Sequence, residues 1–394
     1  MTPPPAVPLP DIAACRVLVV DDNAINCELL VALLERARLS CIETATDGLE
    51  ALAAIERFRP DLVLLDLMMP RLDGYEVCRR LRADARHADL PVLVQTSLTR
   101  PEDRARAFAA GATDFVTKPL NAAELEARVR IHLQNRVLIR NLRQYRERTA
   151  SELVLARSMQ RRLLPGPAAI AAMAAAGLRL GAHFEPSSEL GGDLWGLRHD
   201  DRGRPVLYLA DFSGHGVAAA LNTFRLHAIL RGMDFADFEP ARFLADLNRR
   251  LCPLLPDGQF ATMLIGVVDA AAGVFRYASA ASTAPLLLAE GGLRFGDGSG
   301  LPLGIVPEVA YDDRSLPLAP GSRLLLYSDA AIEVETGRGV LGEDGFAGLA
   351  AAAFAGPAPL PDLVARLQTA GTIDDDLTLL VLERPPGGTG PGAP

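Results

Sequence analysis

Residues 62–70 read LVLLDLMMP. Four apolar residues run without alternation into Asp66, so the segment reads as a strand buried on both faces and ending in a carboxylate. Three other stretches share that form: RVLVVDDN at 16–23, PVLVQTS at 91–97 and DFVTKP at 114–119. Between them, INCELLVALLERA, GLEALAAIERF and GYEVCRRLR carry apolar residues at helical spacing. Such strands alternating with helices specify an α/β doubly wound parallel sheet, whose functional groups gather at the carboxyl ends of the strands.

Asp21, Asp22 and Asp66 fall at such ends. Three carboxylates there repel one another without a cation, and Mg2+ is the simplest one to place among them. Thr96 and Lys118 end two further strands. Lys118 is the only lysine among 40 basic residues, which marks a position that needs a compact ammonium where Arg serves elsewhere. A carboxylate nucleophile, Mg2+ and an ammonium together supply what phosphoryl transfer needs. Any one acid is readily a turn former or helix cap, but five suitable residue types on strand ends are hard to assign to chance.

On these residues, 15–133 resembles a response-regulator receiver domain. The resemblance implies Asp66 as phospho-acceptor, with Asp21, Asp22, Asp66 and the backbone carbonyl of Met68 around Mg2+. It implies Thr96, Phe115 and Lys118 as the switch residues, and a histidine kinase as partner.

No Gly or Pro interrupts 121–164, so a long helix is expected there. Leu142, Thr149, Ala156 and Leu163 recur every seven residues, with Tyr145 and Met159 on the neighbouring seam. Residues 134–165 therefore read as a helical linker, either a coiled coil joining a homodimer or a lone helix packed on its own domains. Its arginines read as a solvated face.

Residues 166–385 form a second domain of short strands (GRPVLYLAD, ATMLIGVVDA, RLLLYSD, LTLLVLE) with helices such as GVAAALNTFRLHAIL, an α+β layered fold. Acids stand beside these strands: Asp193 in GGDLW, Asp211 in LADFSGHG, Asp329 in YSDA, and Asp374 to Asp376 in IDDDLT. Carboxylates without a His cluster suit Mg2+ or Mn2+. Two such ions can aim a water at phosphorus with no protein nucleophile. GGD also opens the diguanylate cyclase signature, but Leu194 and Trp195 end that reading. His215 reads as a loop hydrogen bonder before a general acid.

Together these motifs resemble the metal-dependent, type 2C-like (PPM) serine/threonine phosphatases, in their bacterial sigma-factor-regulating branch, over residues 151–383. The family fold is a β-sandwich flanked by helices. The resemblance implies two Mn2+ or Mg2+ ions held by Asp193, Asp211, the carbonyl of Phe212, Asp329 and Asp375, with Asp211, Asp329 and Asp375 catalytic. Asp375 is preferred within its acidic run because DDLT follows the family pattern. The implied partner is a phosphorylated anti-sigma-factor antagonist or similar phosphoprotein. Two positions depart: Ala330 stands where the family has Gly after the strand-end Asp, and Ala281–Ser282 stand where it has Gly-His. Ala in place of a positive-φ Gly costs about 1 kcal/mol, without removing a ligand oxygen. The rival reading is a phosphatase-like adaptor that binds a sigma factor or its regulators without hydrolysis.

The totals agree. A chain of 394 residues exceeds one ordinary core. A net charge of −9 argues against nucleic-acid binding, and no apolar run reaches the roughly 18 residues that span a bilayer. Five cysteines without Cys-x-x-Cys spacing suggest reduced thiols in a cytoplasm. Cys15, Cys27, Cys41 and Cys78 read as small buried apolar residues. Residues 1–14 and 386–394 read as disordered tails.

Overall fold

The computed structural model describes residues 11–96, 101–214, 216–337 and 339–386. His215 and most of both expected tails lie outside the described residues. The chain divides into two compact units, Met1–Thr149 and Ala150–Pro394.

In the first unit, β1 (Arg16–Val20), α1 (Ala24–Arg36), β2 (Cys41–Ala45), α2 (Gly48–Phe58), β3 (Leu62–Asp66), α3 (Gly74–Ala83), β4 (Val92–Thr96), α4 (Pro101–Ala109) and β5 (Asp114–Thr117) alternate in order. Among the described residues the sheet has five parallel strands in the order β2-β1-β3-β4-β5. Side-chain alternation divides the core. Leu18, Val20, Val63, Leu65 and Val94 meet α2, α3 and α4, whereas Val17, Val19, Leu64 and Leu93 meet α1 and the next helix. Two elements, β2 and α4, lack the apolar patterning that marked the others. Cys41 corrects the expectation of burial: it begins the edge strand β2 and is exposed, while Cys15, Cys27 and Cys78 are buried.

Helix α5 runs 40 residues, Ala122–Arg161. The Asn121 side chain caps it, accepting from the N–H groups of Ala123 and Glu124 at 3.0 and 3.2 Å. Leu125, Val129, Leu133 and Val137, four residues apart, bury one stripe against the first sheet. Beyond them Leu142, Tyr145 and Met159 are exposed by 60, 70 and 52%. The expected seam is therefore exposed only in part: Thr149 and Ala156 are half-buried, and Leu163, past the end of α5, packs against the core of the second unit.

The second unit begins with α6 (Pro167–Ala171), β6 (Arg179–Glu185), β7 (Asp193–His199), β8 (Pro205–Phe212), α7 (Val217–Arg231) and α8 (Pro240–Leu251). It continues with β9 (Ala261–Asp269), β10 (Val274–Ala280), β11 (Leu286–Ala289), β12 (Gly292–Phe295), β13 (Arg314–Pro317), β14 (Arg323–Tyr327), β15 (Glu335–Thr336) and β16 (Gly339–Val340). Helices α9 (Gly342–Phe354) and α10 (Pro359–Ala370) precede β17 (Leu377–Glu383).

Among the described residues two five-stranded sheets, β13-β10-β9-β8-β7 and β12-β11-β14-β17-β6, are each antiparallel throughout. Trp195, Leu207, Leu209, Phe275, Leu324, Leu326 and Leu380 pack together between them. Outside, α7 and α8 cover Leu194, Tyr208, Ile265 and Val267 of one sheet. Helices α9 and α10 cover Leu325, Tyr327, Leu379 and Val381 of the other. The result is a β-sandwich flanked by helices on both faces.

Candidate active sites

In the first unit the carboxylate oxygens of Asp21, Asp22 and Asp66 lie within 4.8 Å of one another. Asp21 is 1% exposed and Asp66 8%. Lys118 Nζ donates to Asp66 Oδ2 at 2.6 Å and to Asp21 Oδ2 at 2.9 Å. Burial alone would lower the Lys118 pKa, but the hydrogen bonds and charges of Asp66 and Asp21 outweigh it and hold the ammonium above its ordinary value. One ammonium against three carboxylates leaves the cluster short of positive charge, which a divalent cation fits.

The local sequence builds this site. The Met68 N–H donates to Asp66 Oδ1 at 3.4 Å. Gly74 starts α3 so close behind that a Cβ there would sit 2.4 Å from the Asp66 carbonyl oxygen. Thr96 is buried at the end of β4, next to β3. The half-buried Phe115 ring carries the guanidinium of Arg104 at 4.6 Å and meets Phe108 edge-on at 6.0 Å.

In the second unit four acids come from both sheets. Asp193 opens β7 and pairs in register with Asp211 near the end of β8. Asp329 follows β14, and Asp375 precedes its partner strand β17. Asp211 and Asp329 line one cleft of about 50 Å3 with Thr262, Ala281, Ser282 and Ser328. Burial, then Asp211, pushes Asp193 well above the usual carboxylate range. Burial, then Asp329 and Asp375, pushes Asp211 up to about 8. Asp329 rises to about 6 through burial, Glu333 and Asp375.

No Arg or Lys among the described residues forms an ion pair with these acids. The Thr378 hydroxyl donates to Asp193 Oδ2, and the buried Oδ1 has no partner among the described residues. A buried carboxylate oxygen left bare beside like charges is costly, and divalent cations would relieve it. The second-unit acids do not close into a trio within 4.8 Å as the first-unit acids do.

The IDDDLT run separates into distinct environments. Asp376 is buried; its Oδ1 accepts from Ser187 N and Oγ at 2.7 and 3.1 Å, and its Oδ2 from Gly192 N at 2.5 Å. Those bonds occupy both its oxygens. Asp374 and Asp375 are exposed, and Asp375 borders the acidic group electrostatically. The paired glycines before Asp193 are required sterically: a Cβ on Gly191 would lie 2.6 Å from Asp376 Oδ2, and one on Gly192 2.9 Å from the Phe212 carbonyl oxygen.

Comparison with known proteins divides the chain in the same way. Residues 17–130 match the family model described as response regulator receiver domain, and residues 201–385 match stage II sporulation protein E (SpoIIE). The chain joins a response regulator receiver domain to a SpoIIE-type PP2C phosphatase domain. The receiver is 42% identical over 119 residues to the DNA-binding dual master transcriptional regulator RpaA of Synechocystis, covering 30% of this chain and 49% of RpaA. The chain thus spans about half the length of that curated relative. The phosphatase domain shares its fold with the SiaA-PP2C domain of Pseudomonas aeruginosa, at TM-score 0.53 and 20% identity, covering 61% of this chain and 98% of that one. The RsbU and RsbW domains of Rv1364c from Mycobacterium tuberculosis align at TM-score 0.46 and 30% identity, over 53% of this chain and 60% of theirs.

The two departures in the phosphatase domain behave differently. Ala330 lies in a right-handed 3-10 turn, Asp329–Ala331, and its methyl packs in the core beside Tyr327 and Phe346. No strain arises there. Ala281 has φ +54°, the left-handed region, so the cost expected of Ala falls in this loop. The loop is pinned: Ser279 Oγ donates to the Gly298 carbonyl at 2.8 Å and accepts from Ser282 N at 3.2 Å.

One residue escaped sequence reasoning. Gln160, 1% exposed in the last turn of α5, donates through Nε2 to the Gly191 carbonyl at 2.6 Å and to Thr223 Oγ1 at 3.2 Å. Its Oε1 accepts from Gly191 N at 3.2 Å. A polar residue inside SMQRRLLP, amid exposed arginines, was the available signal.

Proposed function

We propose that this protein is a response regulator in which a histidine kinase phosphorylates Asp66, controlling a metal-dependent protein serine/threonine phosphatase. The observation that carries the hydrolytic reading is the buried Asp193 carboxyl in register beside Asp211, with no cationic side chain among the described residues to balance either. Asp193, Asp211, the Phe212 carbonyl, Asp329 and Asp375 would hold two Mn2+ or Mg2+ ions; Asp21, Asp22, Asp66 and the Met68 carbonyl would hold Mg2+ in the receiver. When bound, the phosphatase ions supply Lewis acidity at phosphorus and a water of lowered pKa.

The chain's own residues do the rest. Asp376 locks the Ser187–Gly192 segment to β17, setting where Asp193 stands. Gln160 ties α5 to the same segment. A shift of α5 driven through the Thr96, Phe115 and Lys118 face would therefore reach Asp193 through Gly191 and Gly192. The substrate in this reading is a phosphorylated anti-sigma-factor antagonist, or a phosphoprotein like it, in a bacterial cytoplasm; the SpoIIE match over residues 201–385 supports the phosphatase part of the reading. The likeness to RpaA covers the receiver and brings no DNA-binding role with it. Among the described residues no helix is long and apolar enough to cross a membrane. The exposed Leu142, Tyr145 and Met159 seam supports a homodimer through the linker. The domains take the ranges 15–133, 134–165 and 166–385.

The left-handed Ala281 favours a second reading, a phosphatase-like adaptor that binds without hydrolysis. Phosphate release from a chromogenic ester with Mn2+, lost in Asp211→Asn, separates the two; a parent protein that releases none is the adaptor. An intact-mass screen of candidate phosphoproteins then finds the substrate. Turnover with and without a small phosphodonor, in the parent and in Asp66→Asn, tests the receiver's control.

A further inference from the structure

Beside Asp375 the phosphatase surface opens into a cleft of about 300 Å3 between the end of β6 and the end of α10. Pro186, Ile373 and Leu377 give it apolar walls, and Glu185, Gln368 and Asp375 give it a polar rim. Pro186 and Leu377 are buried, whereas Glu185 and Gln368 are exposed. The Glu185 carboxylate meets only His183 Nε2, at 3.1 Å, and no Arg or Lys among the described residues pairs with it. Among the described residues no cationic side chain lines the cleft.

An apolar trough ending at an exposed carboxylate and an amide has a definite complement. A long aliphatic side chain with a cationic head lays its methylenes on the walls and presents its charge at the rim, which describes Arg and Lys. An acidic side chain would meet Glu185 without a compensating cation. Asp375 is shared between this cleft and the acidic centre, so the occupant belongs to a chain whose reacting group lies at that centre. The residue that fills the cleft therefore flanks the phosphorylated one in the same chain.

We propose that this cleft is a substrate subsite that selects a basic residue flanking the phosphoserine or phosphothreonine. The inference rests on the phosphatase reading above and adds the chemistry of the sequence it prefers.

The test uses the full-length protein with Mn2+ and two substrate classes: a chromogenic phosphate ester, which has no flanking residue, and phosphopeptides carrying Arg, Lys, Ala or Glu at each of two positions on either side of phosphoserine. The expected result is a kcat/KM about three- to tenfold higher for the Arg or Lys peptide than for the Glu peptide at one flanking position, carried in KM. Added salt narrows the difference. Glu185→Gln removes the preference and Glu185→Lys inverts it, while both leave hydrolysis of the ester unchanged and so prove folded. Equal rates across the peptides, or a preference that survives Glu185→Lys, overturns the subsite with the phosphatase reading intact. No hydrolysis of either class by the parent overturns both.

Discussion

Gln160 satisfies both backbone groups of Gly191, donating to its carbonyl at 2.6 Å and accepting from its N–H at 3.2 Å. A side chain in the last turn of α5 thereby stands in for the backbone partner that the loop before Asp193 lacks.

Gln160→Ala should therefore strip a buried N–H and a buried carbonyl of their partner at once. Unpaired buried groups cost about 1–3 kcal/mol each in general, so a loss of about 2–6 kcal/mol in chemical denaturation is expected for the two. Phosphatase activity should fall further than stability accounts for, and its response to a phosphodonor should vanish, because α5 no longer grips the loop. A variant with parental phosphodonor response would remove Gln160 from the coupling path.

Ala281 and Ala330 predict opposite signs for the same substitution. Ala281→Gly relieves a left-handed φ of +54° and should stabilise by about 1 kcal/mol. Ala330→Gly deletes a methyl group in a right-handed turn, 2% exposed, and should destabilise by about 1 kcal/mol. Denaturation midpoints of the two variants decide it, and midpoints that move the same way would show that the loop conformation is misassigned.

The neighbouring acids Asp375 and Asp376 should separate function from folding. Asp375 is exposed, and its Oδ1 accepts from Asp376 N within the run at 2.8 Å. Asp375→Ala should abolish Mn2+-dependent hydrolysis and leave the melting temperature of the metal-free protein close to parental. Asp376→Ala frees the N–H groups of Ser187 and Gly192 and should cost about 2–4 kcal/mol. Calorimetry and Mn2+ titration on both variants check the division, which fails if Asp376→Ala melts as the parent does.

Much of this was legible in the chain because the receiver alternates strands with helices and the second domain, rich in short strands, does not. Continuous apolar runs such as LVLLD marked strands covered on both faces, and acids beside strand ends marked the candidate sites. The edge strand β2, CIETA, carried no such run, since an edge strand buried on one side keeps polar residues, and Cys41 is exposed for that reason. Helix α4, PEDRARAFA, buries only Ala107 among its residues and so shows no helical stripe. Gln160 was hidden because its role depends on a loop 31 residues away. The difference between Ala281 and Ala330 was likewise invisible: both are alanine where glycine is usual, and only the backbone angles distinguish strain from ordinary packing.

The phosphatase acids impose a pH dependence on the metal-free protein that bound metal should reverse. An unperturbed Asp has a pKa near 3.8, whereas burial and mutual repulsion raise Asp329 to about 6 and Asp211 to about 8, with Asp193 raised also. Between these values the folded state holds protons that the unfolded chain has released, so stability falls as pH rises. The contribution is fully present below about pH 4 and is lost progressively as pH climbs through 6 to 8. Carboxylates with lowered pKa values, such as Asp84 at about 2, act in the opposite sense and below this window. In chelator, the second unit's unfolding free energy should therefore decline from pH 5 to pH 8, and Asp211→Asn should flatten that decline. With saturating Mn2+ the sign inverts, because ligand carboxylates must shed their protons before they bind and metal affinity rises with pH. Paired denaturation curves with and without Mn2+ give both slopes; parallel slopes would mean that these carboxylates do not share the ion.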